Sequence, residues 1–237
     1  MAMQIDNRRP FTGFPESAPD FFVGLAANND RDYWQANRET FEREVREPMT
    51  ALVAALAPRF GALRLFRMNR DVRFGRDKSP YKTQQGAVGD RTEGGVWYLQ
   101  LDADGLLVAS GYHFLTRDQL ARYRAMVADD RTGPELGRLI GVVAEDGLDV
   151  NGGVQTPLTG TPRGYPKDHP RIALLRWKGV VASQRIDDPE RLGSPDLPDA
   201  VAGFWDAAAP LLALLDRHVC PPDPGDPGDR MSGMRPR

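Results

Sequence analysis

The sequence predicts an α+β protein in which an antiparallel β-sheet of hairpin strands packs with flanking helices in a single domain. Apolar residues recur at helical spacing before Gly61 and again after Pro198, and period-two segments with a hairpin turn lie between them. A hydrophobic content of 41% over 237 residues is enough to bury a core. Because helices flank the strands instead of alternating with them, this class is favoured over an alternating α/β fold.

The expected organisation is one α+β domain over residues 11–219. Residues 1–10 are predicted to be a flexible N terminus. Residues 220–237 are rich in Pro, Gly and Asp and have almost nothing to bury, so we expect a disordered tail.

The first third of the chain is predicted to be helical. A short helix is expected over Ser17–Ala27, followed by a break at Asn28-Asn29-Asp30 that can cap the next helix. Helical spacing resumes at Arg31, but an interior proline is costly, so we expect a kink or a new start near Arg46–Pro48. Gly61 should end this region.

The pattern then changes to period two, which predicts a strand over Leu63–Phe74. Arg70 falls on the apolar face of that strand, so its guanidinium should find a carboxylate or an anionic ligand. Val96–Leu101 and Leu106–Leu115 are predicted to form a hairpin around the turn sequence Asp102–Gly105.

The second half is predicted to be helical, with one loop and one strand. The expected elements are a helix that opens on the capping box Thr116–Gln119 and runs to Ala128, a helix from Pro134 to near Gly147, a loop over Asn151–Asp168, a helical turn and the strand Val180–Ile186 within Ile172–Ile186, and a long helix over Pro198–Val219.

A dense charged segment is the main candidate for chemistry. Arg67–Thr83 contains six basic and two acidic residues, a local charge of +4 in a chain whose total is −2. Guanidinium groups match phosphate and carboxylate oxygens two bonds at a time, so this segment predicts an anion site. A second candidate is the Gly/Pro-rich loop Thr159–Pro170. The candidate ligand-binding residues are Arg70, Asp71, Arg73, Arg76, Asp77, Lys78, Tyr81, Lys82, Arg163 and His169.

Other interpretations of the charged segment stay open. It can be a structural network of ion pairs, or a surface that docks an acidic protein partner. Its aspartates can hold a metal ion, although no residue is assigned as a metal ligand. Nucleic-acid binding is disfavoured by the net charge of −2. No catalytic residue or cofactor follows from the sequence, and the oligomeric state stays open.

Several functional classes lack their motifs. The sequence has no G-x-x-x-x-G-K-[ST], no G-x-G-x-x-G after a strand, no H-E-x-x-H and no G-x-S-x-G. The only cysteine is Cys220, which excludes an internal disulfide. No window approaches the roughly 18 apolar residues of a membrane span. We therefore expect a cytoplasmic protein with no membrane partner.

The charged segment also carries a resemblance to a known family. The strings Arg70-Asp71-Val72-Arg73-Phe74 and Asp77-Lys78-Ser79-Pro80-Tyr81-Lys82-Thr83 resemble the signature of the uncharacterised bacterial and fungal family called domain of unknown function 2461. Further matching pieces are Asn28-Asn29 before Trp34, Tyr98, Gly111, Arg163-Gly164-Tyr165, Asp168-His169-Pro170, Leu175 and Lys178. The resemblance covers about Phe11–Arg217.

The chain departs from the family pattern at two places. It has Gly75-Arg76 where members more often have Ser-Lys, and Gln84 where Asn is usual. The first change keeps the charge and the second keeps the amide. The resemblance implies a shared α+β domain, but no established activity, cofactor or catalytic residue to assign to this chain.

Overall fold

The computed structural model describes residues 10–71, 77–91 and 94–220. The chain divides into two compact units. The first unit comprises residues 1–89, 98–108 and 185–203, and the second comprises 90–97, 109–184 and 204–237. The predicted single-domain organisation stays a prediction. Of the segments expected to be flexible, 1–9 and 221–237 lie outside the described residues.

The helices of the first unit before Gly61 lie where the sequence predicts them, whereas the short helix Pro189–Leu192 was not predicted. They are α1 (Ala18–Ala27), α2 (Arg31–Phe41), a π-helical turn (Glu42–Arg46), α3 (Glu47–Phe60) and the short α7 (Pro189–Leu192). The Asp30 side chain accepts a hydrogen bond from the backbone N–H of Tyr33 at 2.8 Å, which confirms the expected cap.

The expected interruption near Arg46–Pro48 takes the form of that π-helical turn. Pro48 follows this turn directly, at the second residue of α3, so the altered hydrogen-bond pattern lies where the proline lacks an N–H. Gly61 ends α3 with a φ of 76°, a conformation that favours glycine.

In the part of the chain that the structure describes, six strands form one antiparallel sheet, which confirms the predicted fold class. The strands are β1 (Arg64–Leu65), β2 (Gln84–Asp90), β3 (Val96–Asp102), β4 (Gly105–Tyr112), β5 (Asp149–Asn151) and β6 (Val180–Ile186), and their order in the sheet is β1-β2-β3-β4-β6-β5. The predicted hairpin is β3–β4, with its turn at Ala103-Asp104. Strands β2 and β5 were not predicted.

The predicted strand Leu63–Phe74 is wrong as a continuous element. Strand structure is limited to β1 and to an isolated bridge between Asn69 and Tyr81, and residues 72–74 lie outside the described residues. The alternation still holds locally, because Met68 is buried between the exposed Arg67 and Asn69. Since the strand does not continue, Arg70 is not held on a buried sheet face.

The helices that follow β4 match the sequence patterns. They are α4 (Arg117–Ala128), α5 (Thr132–Glu145), α6 (Ile172–Leu175) and α8 (Leu197–Val219). Both hydrogen bonds of the predicted capping box are present between Thr116 and Gln119. The core of the second unit is built around Tyr123, Leu136 and Leu212, each fully buried. In the part of the chain that the structure describes, no helix has the length and apolarity needed to cross a bilayer.

Candidate functional site

A cleft with a volume of about 410 Å³ lies in the first unit. Its lining combines cationic, aromatic and amide side chains. These are the arginines Arg38, Arg46 and Arg67, the carboxylate Glu42, the rings of Trp34, Phe41 and Phe66, the amides Asn69 and Gln85, and the apolar Leu65 and Met68. Three arginines against one glutamate leave a formal charge of +2 on the lining.

One wall of the cleft is a stripe of charged residues four positions apart. Arg38 lies on α2, and Glu42 and Arg46 lie at the two ends of the π-helical turn. Residues at this spacing share a helix face, which presents all three side chains to the cleft. The Arg46 guanidinium donates to Glu42 Oε1 at 3.1 Å, and both side chains are partly exposed.

Two of the three arginines have no partner within the described residues. Neither the Arg38 nor the Arg67 guanidinium makes a hydrogen bond or an ion pair there. Arg67 comes from the segment after β1, whereas Arg38 comes from α2, so two separate elements bring free guanidinium groups to one cleft.

The other wall forms where β1 leaves β2. The Phe66 backbone N–H donates to Gly86 O at 2.9 Å, but the next pairing on this side is the bridge between Asn69 and Tyr81. Between these two pairings, one side of the ladder runs from residue 66 to 69 and the other from 86 to 81. The two sides differ in length, so the ladder is irregular here. The buried side chain of Gln85 fills this irregularity and donates from Nε2 to the carbonyls of Phe66 and Gly86, each at 2.9 Å.

Trp34 is held in place by stacked aromatic rings. Its ring is stacked on Tyr81 with centroids 4.5 Å apart at 15°, and its centroid lies 5.0 Å from that of Phe41. Tyr81 is buried, and its backbone is held by the Asn29 side chain through two hydrogen bonds of 3.0 and 3.1 Å. Tyr81 thus supports the cleft wall from behind Trp34 and does not itself line the cleft.

The predicted segment supplies a surface ion pair beside this region. Arg70 pairs with Asp77, and a carboxylate is one of the two kinds of partner expected from the sequence; the Arg70 side chain keeps 35% of its accessible surface. Bonds from the Ser79 hydroxyl and backbone N–H, and then Arg70, lower the pKa of Asp77 to about 2. Asp71 and Lys78 are exposed. Arg73 and Arg76 lie outside the described residues.

Lys82 belongs to a group of neighbouring cations. Its ammonium lies 5.0 Å from the centroid of the Phe66 ring, a distance typical of a cation–π contact. Burial lowers the pKa of Lys82, and the positive charges of Arg67 and Arg70 lower it further. Lys82 and Arg70 are therefore electrostatically linked to Arg67, which lines the cleft.

The remaining predicted site residues belong to the second unit and make local contacts. Arg163 is exposed on its loop. His169 is partly buried, and its Nδ1 accepts a hydrogen bond from the backbone N–H of Arg171 at 3.0 Å. Arg171 in turn donates to the carbonyls of Val127 and Ala128 at the end of α4. These contacts are of the kind that hold a loop against a helix end.

The metal alternative finds no support within residues 10–71, 77–91 and 94–220. No group of three or more His, Cys, Asp or Glu side chains there is arranged to hold a metal ion. Asp77 is engaged with Ser79 and Arg70, as described above.

Arg38, Glu42, Arg46 and Gln85 were not predicted from the sequence to belong to a site. The four-residue spacing of the first three is visible in the sequence and predicts a shared helix face. Arg67 was included in the charged segment but not among the candidate ligands. No feature of the sequence indicates a role for Gln85, because its position depends on how β2 pairs with the residues around Phe66.

Comparison with known proteins supplies the family. No curated protein and no solved structure matches the chain. A family model described as "Conserved hypothetical protein (DUF2461)" matches residues 17–213, which includes the cleft and the charged segment. This range confirms the resemblance seen in the residues around Arg70–Thr83. The chain therefore belongs to the family of conserved hypothetical proteins called domain of unknown function 2461.

Proposed function

We propose that this protein binds a small anionic ligand, phosphorylated or carboxylate, in the cleft of the first unit. The observation that carries the proposal is the meeting of Arg38 and Arg67, two guanidinium groups without a partner among the described residues, in one cleft. A volume of about 410 Å³ falls within the range of small-molecule sites.

The chemistry of the lining suits an anion with an apolar part. A guanidinium offers a planar fork of donors that binds two oxygens of a phosphate or carboxylate at once. The rings of Trp34 and Phe41 offer apolar contact next to those donors. An anionic group would therefore lie between the arginines while the rest of the ligand covers the rings.

The charged segment contributes at longer range. Arg70 and Lys82 do not line the cleft, but Lys82 is close enough to Arg67 and Arg70 for their charges to lower its pKa. Like charges held together at a surface attract anions and raise their local concentration. The segment would guide the ligand, and the cleft would bind it.

An acidic protein partner is the second candidate. The favouring observation is that Arg70, Asp77 and Lys78 are exposed and stand outside the cleft lining. Exposed charges of this kind contribute more to association rate than to affinity. A partner that docks here would respond to changes at Lys78 and not to changes at Arg38.

A thermal-shift screen tests the proposal. Wild type, Arg38→Ala and Arg67→Ala would be compared with phosphate, citrate and phosphorylated metabolites as probes. Arg138→Ala is the matched control, because Arg138 is exposed on α5 in the second unit. We expect a stabilising shift in wild type and the control that both cleft variants lose. A flat result across the panel, or equal loss in the control, would overturn the proposal.

A further inference from the structure

We infer, on the basis of the proposed anion site, that its ligand also carries a hydroxyl or N–H group, which donates a hydrogen bond to Gln85 Oε1. The ligand class is therefore a hydroxylated or amide-bearing phosphate or carboxylate. A plain anion would leave this part of the cleft without a partner.

Gln85 is a buried polar residue on the cleft wall. Its exposed fraction is 2%, and both protons of its amide are committed to the carbonyl oxygens of Phe66 and Gly86. These two bonds replace backbone pairing where β1 separates from β2. The side chain is therefore fixed at both of its donor positions.

The two bonds also determine the positions of the amide nitrogen Nε2 and the amide oxygen Oε1. Both neighbours are carbonyl oxygens, which only accept hydrogen bonds, so the amide nitrogen must face them. The reverse orientation would place Oε1 against two other oxygens with no proton between them. Oε1 is consequently left as a pure acceptor.

That acceptor has no donor within the described chain. Oε1 receives no hydrogen bond from residues 10–71, 77–91 or 94–220, although Gln85 lines the cleft. Oε1 is not one of the buried side-chain atoms that lack a partner, so it reaches solvent. A ligand that displaces this solvent without offering a hydroxyl or N–H would leave the acceptor unpaired, whereas a ligand donor would replace the lost hydrogen bond. The arginines accept no such group, because they are donors only. The lining thus has complementary positions for an anion and for a donor.

A pair of probes of matched size separates the two requirements. Glycerol 3-phosphate carries hydroxyl donors, whereas propyl phosphate has the same carbon chain without them. Isothermal titration calorimetry on the full chain should show that glycerol 3-phosphate binds roughly 3- to 10-fold more tightly, the range expected for one added hydrogen bond. Gln85→Met should lose this preference and keep the weaker binding of propyl phosphate.

The outcomes distinguish this inference from the function on which it rests. Equal affinity of wild type for the two probes would overturn the inference and leave the anion site standing. Absence of binding for both would overturn the inference and the anion site together. A preference that persists in Gln85→Met would remove Gln85 from the recognition. If that variant fails to fold, the wild-type comparison still decides whether a donor is recognised.

Discussion

The Asn29 side chain pairs with the backbone of Tyr81 as a neighbouring strand would. Its Nδ2 donates to Tyr81 O at 3.0 Å, and its Oδ1 accepts from the Tyr81 N–H at 3.1 Å, although the two residues are 52 positions apart. Tyr81 is the residue on which Trp34 stacks. The loop between α1 and α2 is thereby connected to the residue that supports the cleft wall.

Asn29→Ala should destabilise the protein and disturb the cleft. The change removes two hydrogen bonds at a partly buried position and leaves a peptide group unpaired, so we expect a loss of roughly 1–3 kcal/mol in the free energy of unfolding. Asn28→Ala is the matched control, because Asn28 makes one exposed bond to Gly24 O. Urea unfolding measures both. Similar losses in the two variants would contradict a special role for Asn29.

The second unit contains a buried ion pair whose removal should be costly. Arg91 donates to both carboxylate oxygens of Asp216, at 3.2 and 2.7 Å, and the two side chains keep only 9% and 10% of their accessible surface. Asp216 also accepts the hydroxyl of Tyr112 at 2.8 Å. Asp216→Ala would leave the Arg91 charge buried and unpaired, so we expect a loss of about 3–5 kcal/mol in the free energy of unfolding.

The control for that pair is an ion pair on the surface. Arg43 bonds Glu44 with 65% of its own side chain exposed, so Arg43→Ala should cost less than about 1 kcal/mol. Chemical denaturation of both variants under one set of conditions gives the comparison. An Asp216→Ala variant no less stable than Arg43→Ala would show that burial does not strengthen this pair.

The pKa of Asp77 should respond more to Ser79 than to Arg70. The hydroxyl and backbone N–H of Ser79 contribute most to the lowering, and Arg70 contributes less. Ser79→Ala keeps the backbone N–H but removes the hydroxyl, which is the largest single cause, so it should raise the Asp77 pKa further than Arg70→Gln does. NMR titration of the Asp77 carboxyl from neutral pH down to about pH 2 follows the change in each variant. A larger rise in Arg70→Gln would mean that the ion pair dominates.

Tyr98 should make the protein sensitive to alkali. Burial, and then the nearby Asp102 charge, raise the pKa of Tyr98 from 10.0 to about 12. Between these values the unfolded chain loses the proton while the folded chain keeps it, so stability falls as the pH rises through this window. Tyr98→Phe removes this group and should lose less stability over the same interval, by on the order of 2 kcal/mol.

Denaturant unfolding at several pH values tests that difference directly. Tyr112 and Tyr123, whose pKa values burial also raises, are present in both proteins, so their contributions cancel in the comparison. Parallel stability curves for wild type and Tyr98→Phe would show that Tyr98 does not titrate in this way.

Helix boundaries could be predicted because their causes are local in sequence. The capping box at Thr116 and Gln119 satisfies the first backbone donors of α4 with residues three apart, and the helix ends at Ala128 as expected. The same holds for Asp30 at the start of α2. Neither prediction required knowledge of a distant contact.

Strand β2 could not be predicted for the opposite reason. Its sequence from Gln84 to Asp90 contains Gly86 and Gly89 and has one β-branched residue, Val88, so its intrinsic strand preference is weak. It forms because β1 and β3 lie on either side of it and pair with it. Such pairing overrides local preference and is not visible in the segment itself.

The position of the candidate cleft could not be predicted from the sequence. An arginine-rich segment and an anionic ligand were expected, yet the cleft combines Arg67 of that segment with Arg38 and Arg46 of the preceding helices. A charged helix face by itself resembles any solvated surface. It becomes one wall of a cleft only through the irregular pairing near Phe66, which sequence spacing does not encode.

The two hydrogen bonds donated by the Gln85 amide also make this group a spectroscopic probe of the cleft. Its two Nε2 protons are donated to different carbonyls, Phe66 O and Gly86 O, so the group is held in one orientation. Every glutamine amide gives two resonances in a nitrogen-correlated NMR spectrum, and those of Gln85 should differ from the others by their protection from exchange with solvent. A ligand that reaches Oε1 would shift both resonances together, which reports occupancy of the cleft.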